Sequence, residues 1–129
     1  MKRQTLPSLF AATSWFIASS SLSAPQPAAR PTGVFSDMHW VEEAGDVFGT
    51  EIFILYSTDG YWALVQIAGG APGPPVLVKA MVKEGRIEFT LPDDMGGRFV
   101  GRVSRKGLVG KFERFTEETK LSRRKSYWQ

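Results

Sequence analysis

The stretch that most constrains this chain is Gly49–Gly70, GTEIFILYSTDGYWALVQIAGG, in which two apolar, β-prone runs flank Asp59-Gly60. Asp-Gly between such runs is the strongest short-range hairpin signal, because both residues accept the positive φ that tight hairpin turns demand. A two-residue turn there sets Tyr56 opposite Ala63, Leu55 opposite Leu64, Ile54 opposite Val65 and Phe53 opposite Gln66. Side chains alternate across a strand. One face then carries Ile52, Ile54, Tyr56, Tyr61, Ala63, Val65 and Ile67 and reads as core. The other carries Glu51, Phe53, Leu55, Ser57, Trp62, Leu64, Gln66 and Ala68, which is more apolar than a solvated sheet face usually is. A loop of any even length preserves this division.

The same punctuation recurs downstream. Val76–Lys83 and Arg86–Leu91 alternate cleanly around Glu84-Gly85, with Val76, Val78, Ala80, Val82, Ile87, Phe89 and Leu91 on one side. A third hairpin, Arg98–Arg105 with Leu108–Phe115, turns at Lys106-Gly107. Its register puts Val103 opposite Gly110, Gly101 opposite Phe112 and Arg102 opposite Lys111; large-to-glycine matches of this kind mark sharp bends or an aromatic lying over a glycine. Gly33–Val41 reads as a first strand and Lys120–Trp128 as a last one. The Gly- and Pro-rich segments Gly69–Pro75 and Pro92–Gly97, with Glu42–Phe48 and Thr116–Thr119, are the longer connections. The fold class is all-β: an antiparallel up-and-down meander of about eight strands. It closes most simply as a barrel pairing first strand with last, while an open twisted sheet or a two-layer sandwich uses the same strands.

At 129 residues there is room for one domain. Residues 1–24 have the layout of an export signal: basic Lys2 and Arg3, an apolar run from Leu6 to Ile17, then small residues to Ala24, with Ser21 and Ser23 as competing cleavage positions. Residues 25–32 form a proline-rich linker, and 33–129 the β domain. The expected location is secreted or periplasmic. The apolar run is too short and too rich in serine for a comfortable span, so no stable membrane span is expected in the mature chain. There is no cysteine, hence no disulfide framework and no thiolate metal site. The formal charge of +3 falls to about +1 without Lys2 and Arg3, which argues against a nucleic-acid partner.

In a meander, alternate connections share an end. The tight Gly turns therefore bring Lys83, Arg86, Arg105 and Lys106 to one end, and the longer loops bring Glu42, Glu43, Asp46, Asp93, Asp94, Glu117 and Glu118 to the other. The face with Phe53, Leu55, Trp62 and Leu64 is the main candidate for contact with a partner protein or a second copy, since aromatics on rigid strands lose little entropy on binding. Trp40 on the first strand and Tyr127 and Trp128 on the last join it, either as contact residues or as a cover folded over the face. Arg102 and Lys111, placed opposite one another, are an anion-binding candidate. His39 is the only histidine; with Asp37 two residues away, and with Asp93 and Asp94 on a loop, it is a candidate metal ligand, although one histidine without cysteine cannot supply a usual zinc site, and the acidic long-loop end could hold a hard cation such as calcium. The long-loop mouth of a barrel could alternatively admit a small hydrophobic ligand. No Gly-x-Ser-x-Gly elbow and no cysteine nucleophile is present, and no cofactor is implied, so a non-catalytic role is expected.

Overall fold

The computed structural model describes residues 29–129 without a break, and residues 3–5, 7, 8, 14 and 17–19 before them. The export signal expected over 1–24 falls mostly outside the described residues, as does the linker up to residue 28. Nine strands follow: β1 (Gly33–Ser36), β2 (His39–Val41), β3 (Asp46–Ser57), β4 (Gly60–Gly70), β5 (Val76–Lys83), β6 (Arg86–Thr90), β7 (Arg98–Val103), β8 (Gly107–Phe112) and β9 (Thr119–Arg123). Each of β3 to β8 pairs antiparallel with the next, and β1 pairs with both β3 and β9. Eight strands thus form a closed barrel, and β2 is an extra strand laid on the start of β3.

The expected first strand, Gly33–Val41, is interrupted rather than continuous. Its two pieces keep one register on β3, Ser36 facing Glu51 and His39 facing Phe48. Between them the backbone presses onto Gly49, where a Cβ would lie 2.6 Å from the Met38 Cα. The Asp37 carboxylate accepts the Thr50 amide at 2.7 Å, a bond that replaces part of the ladder at the break. The connection after β2 is correspondingly shorter than Glu42–Phe48, because β3 already begins at Asp46.

Glu84-Gly85 is the two-residue turn that its sequence predicts, with φ of 51° and 79°. The other two hairpins shift by two residues. In the first, Tyr56 faces Tyr61 and Ile54 faces Ala63. The Asp59 carboxylate accepts the Ser57 hydroxyl and the Trp62 indole N–H, which centres the turn on Thr58-Asp59 and leaves Gly60 as the residue with positive φ. In the third, Gly101 faces Gly110 and Phe99 faces Phe112. Gly107 is drawn into β8 by pairing with Ser122 of β9, and Ser104 closes the turn by bonding the Gly107 carbonyl at 2.8 Å. Shifts of two keep every side chain on its face.

The interior is therefore the expected one except at Tyr56, which is 66% exposed beside the turn, its ring 4.9 Å from that of Tyr61. Ile52, Ile54, Ala63, Val65, Ile87, Phe89, Phe99, Leu108 and Phe112 are buried together with Phe35 from β1 and Leu121 from β9. Phe89 and Phe99 stack at 4.9 Å, and Phe99 meets Phe112 at 4.8 Å. The Phe99 ring lies over the Gly101/Gly110 pair: a Cβ on Gly101 would come within 2.8 Å of it. A Gly110→Ala change would drive a methyl group into that ring and to 2.5 Å from the Val100 carbonyl. It should lower unfolding free energy by about 1–3 kcal/mol. Urea denaturation checks this against Gly69→Ala, whose Cβ would meet nothing within 4 Å and which should be near neutral.

Candidate functional site

The pairing of β1, β3, β4 and β5 aligns outward-facing residues in rows that cross the strands. Val34 faces Phe53, Phe53 faces Leu64 and Leu64 faces Leu77, an apolar row four strands wide. Phe53 is 37% and Leu77 55% exposed, so the row is open to solvent. Toward the tight turns, the next row is Leu55, Trp62 and Lys79. The Lys79 ammonium sits 4.7 Å over the Trp62 ring and 3.3 Å from the Asp59 carboxylate, which also receives the Trp62 N–H. Trp62 is thus tied into the turn, and Phe53, Leu64 and Leu77 form the accessible part of the face.

On the other side of the apolar row, the outer surface is covered by the chain's own end. β9 stops at Arg123, so Lys120–Trp128 is not one strand, and the tail that follows lies across β3 and β4. Glu51 accepts the Ser126 hydroxyl at 2.5 Å and the Tyr127 amide at 2.8 Å, and Gln66 accepts the Trp128 indole N–H at 2.7 Å. Tyr127 packs on Met38, Val47 and Ala68, a small second core outside the barrel. Tyr127 therefore covers this part of the face, while Trp128, 53% exposed, borders the open part. A groove of about 320 Å³ remains between the tail and the apolar row, lined by Val34, Phe53, Leu64, Pro75 and Trp128 with Glu51 and Gln66. Trp40 lies apart, facing Val47 at the far end of the ribbon, its N–H bonded to Glu42 at 3.1 Å.

The remaining candidates are placed as follows. Arg102 and Lys111 are not opposite one another: the two-residue shift sets Arg102 against Val109 and Lys111 against Val100. Both still border one shallow depression of about 470 Å³ above the Gly101/Gly110 pair, with Arg86 and Glu118. The Asp37 carboxylate turns to the Thr50 amide, and His39 Nδ1 lies 2.7 Å from the Asp37 carbonyl, so the two side chains do not converge on a common point. Asp93 pairs with Arg114 at 3.1 Å, and Asp94 lies apart at the barrel mouth beside Met95 and Phe115. Among the described residues no three His, Asp or Glu side chains are grouped to hold a metal.

Side chains fill the barrel's interior. Ile54, Val65, Phe89 and Phe112 are all buried in one cluster, and among the described residues no buried side-chain nitrogen or oxygen lacks a partner. Among the described residues no helix is long and apolar enough to cross a membrane. No family model, curated protein or solved structure matches this chain.

Two features of this wall were not visible in the sequence. Leu77 joins the face only through the β4–β5 register, which the GGAPGPP loop conceals. Glu51 and Gln66 are ordinary polar strand residues until the tail finds them.

The Asp59 carboxyl is lowered from 3.8 to about 2, first by the Ser57 hydroxyl, then by the Trp62 N–H and Lys79. A group whose folded pKa is depressed stabilises the fold above its unfolded value and loses that contribution as pH falls toward the folded one. Between pH 3.8 and about 2, unfolding free energy should therefore fall less steeply in Asp59→Asn than in the parent, as read from denaturation series at each pH. Glu51→Ala should release the tail and lower stability by about 1–3 kcal/mol, since hydrogen bonds to a carboxylate are among the stronger ones. Amide exchange at Tyr127 should rise in the same variant.

Proposed function

We propose that this chain is an exported, non-catalytic binding module that docks a partner protein or a second copy of itself through the outer wall of β1, β3, β4 and β5. The observation that carries this reading is the row Val34–Phe53–Leu64–Leu77, an apolar strip on rigid strands left open beside a tail that covers its neighbours. A preformed surface of this kind binds with little loss of side-chain freedom, and Phe53 in its centre is the natural anchor. The export signal read in residues 1–24 supports placement outside the cytoplasm. A carrier with its ligand in the lumen is less well supported, because the barrel interior is filled by its own side chains.

The test is a photo-crosslinking residue at Leu77 of the full chain, expressed in the cells that make it, with the exposed Phe115, outside this wall, as control. Leu77 should yield a discrete adduct, either a dimer or one partner species, and Phe53→Glu should reduce it at least tenfold. Equal yields from Leu77 and Phe115, or an adduct insensitive to Phe53→Glu, would overturn the reading.

A further inference from the structure

The opposite wall of the barrel carries a second, chemically different row. Lys83 faces Arg86 across the second hairpin, Arg86 faces Arg102 across β6–β7, Arg102 faces Val109, and Val109 faces Lys120. All four cations are exposed. Three of them therefore sit directly opposite one another on three successive strands, an arrangement that is unfavourable unless an anion lies between. Arg86 has a partner on its own strand, Glu88 at 3.3 Å, and Lys120 has Glu118 at 3.8 Å. Among the described residues no carboxylate comes within ion-pair distance of Lys83, Arg102 or Lys111. The excess of positive charge continues onto the adjoining turn through Arg105 and Lys106.

We infer that this row is a binding site for a linear acidic polysaccharide laid across the strands. Adjacent strands are spaced by about 4.8 Å, so Lys83, Arg86 and Arg102 offer cations at that pitch, matched by a polymer that repeats one carboxylate per sugar. Beside the row, Val100 and Val109 flank Gly101 and Gly110 in the shallow depression, a surface against which the C–H faces of sugar rings can lie. A single-stranded nucleic acid would need aromatic platforms for its bases, and no exposed residue of β5 to β9 is aromatic. A bilayer would need aromatic anchors, and these stand on the other side of the barrel. The site is independent of the apolar wall, so either proposal can fail without the other.

The test is titration of the full chain with an oligomeric polyuronate at low and high salt, alongside an oligothymidylate and phosphatidylglycerol vesicles. Expected is saturable polyuronate binding that weakens with salt and drops at least tenfold in Arg102→Glu and in Lys83→Glu. Lys125→Glu, a charge-matched change on the tail, should leave it within twofold. Circular dichroism establishes that each variant is folded. Absence of polyuronate binding, tighter binding to the oligonucleotide or the vesicles, or an equal loss in Lys125→Glu would each overturn the inference.

Discussion

The constraint on which the rest of this molecule depends is the packing of three phenylalanines inside a narrow cylinder. An eight-stranded barrel leaves an interior just wide enough for side chains to fill. Phe89, Phe99 and Phe112 occupy it together only because Gly101 and Gly110, paired across β7 and β8, present no side chain to the Phe99 ring. Aromatic bulk on one side and bare backbone on the other make a dry column that seals the barrel. With the lumen used for stability, the binding role proposed above falls to the outer surface, whose two walls differ in chemistry.

How much of this could be read in the chain depends on which quantity is asked for. Face assignment was legible because strand periodicity is two and the register corrections are also two. Register itself was not. Asp-Gly favours a turn on those two residues, yet the Asp59 side chain gathers Ser57, Trp62 and Lys79 and moves the turn back by one residue. Gly107 looked like the tip of a turn but is claimed by β9, a strand more than a dozen residues later. Both are tertiary effects on local preference. The row of cations and the position of Leu77 depend on registers compounded across several hairpins, so pairwise reading of sequence could not reach them. For the same reason the opposed Arg102 and Lys111 proved to be diagonal neighbours.

The outer surface is thereby sorted by wall. On β3 and β4 the tail takes the rows of Glu51 and Val47, the apolar row lies open beside it, and the Asp59 turn closes the far side. On β5 to β9 alternation places valines, lysines and arginines outward over the glycine pair that relieves the core. One glycine pair thus lets the ring lie flat within and leaves a depression without.

The seam of the barrel adds a kinetic consequence. β1 meets β9 through only two facing pairs, Phe35 with Arg123 and Ser36 with Ser122, reinforced where Arg123 bonds the Thr32 carbonyl. A ribosome delivers the earlier edge of that seam long before the later one, and contacts between such distant segments are slow to form. The cylinder therefore shuts only after β9 has emerged, and until then the strands before it form an unclosed ribbon.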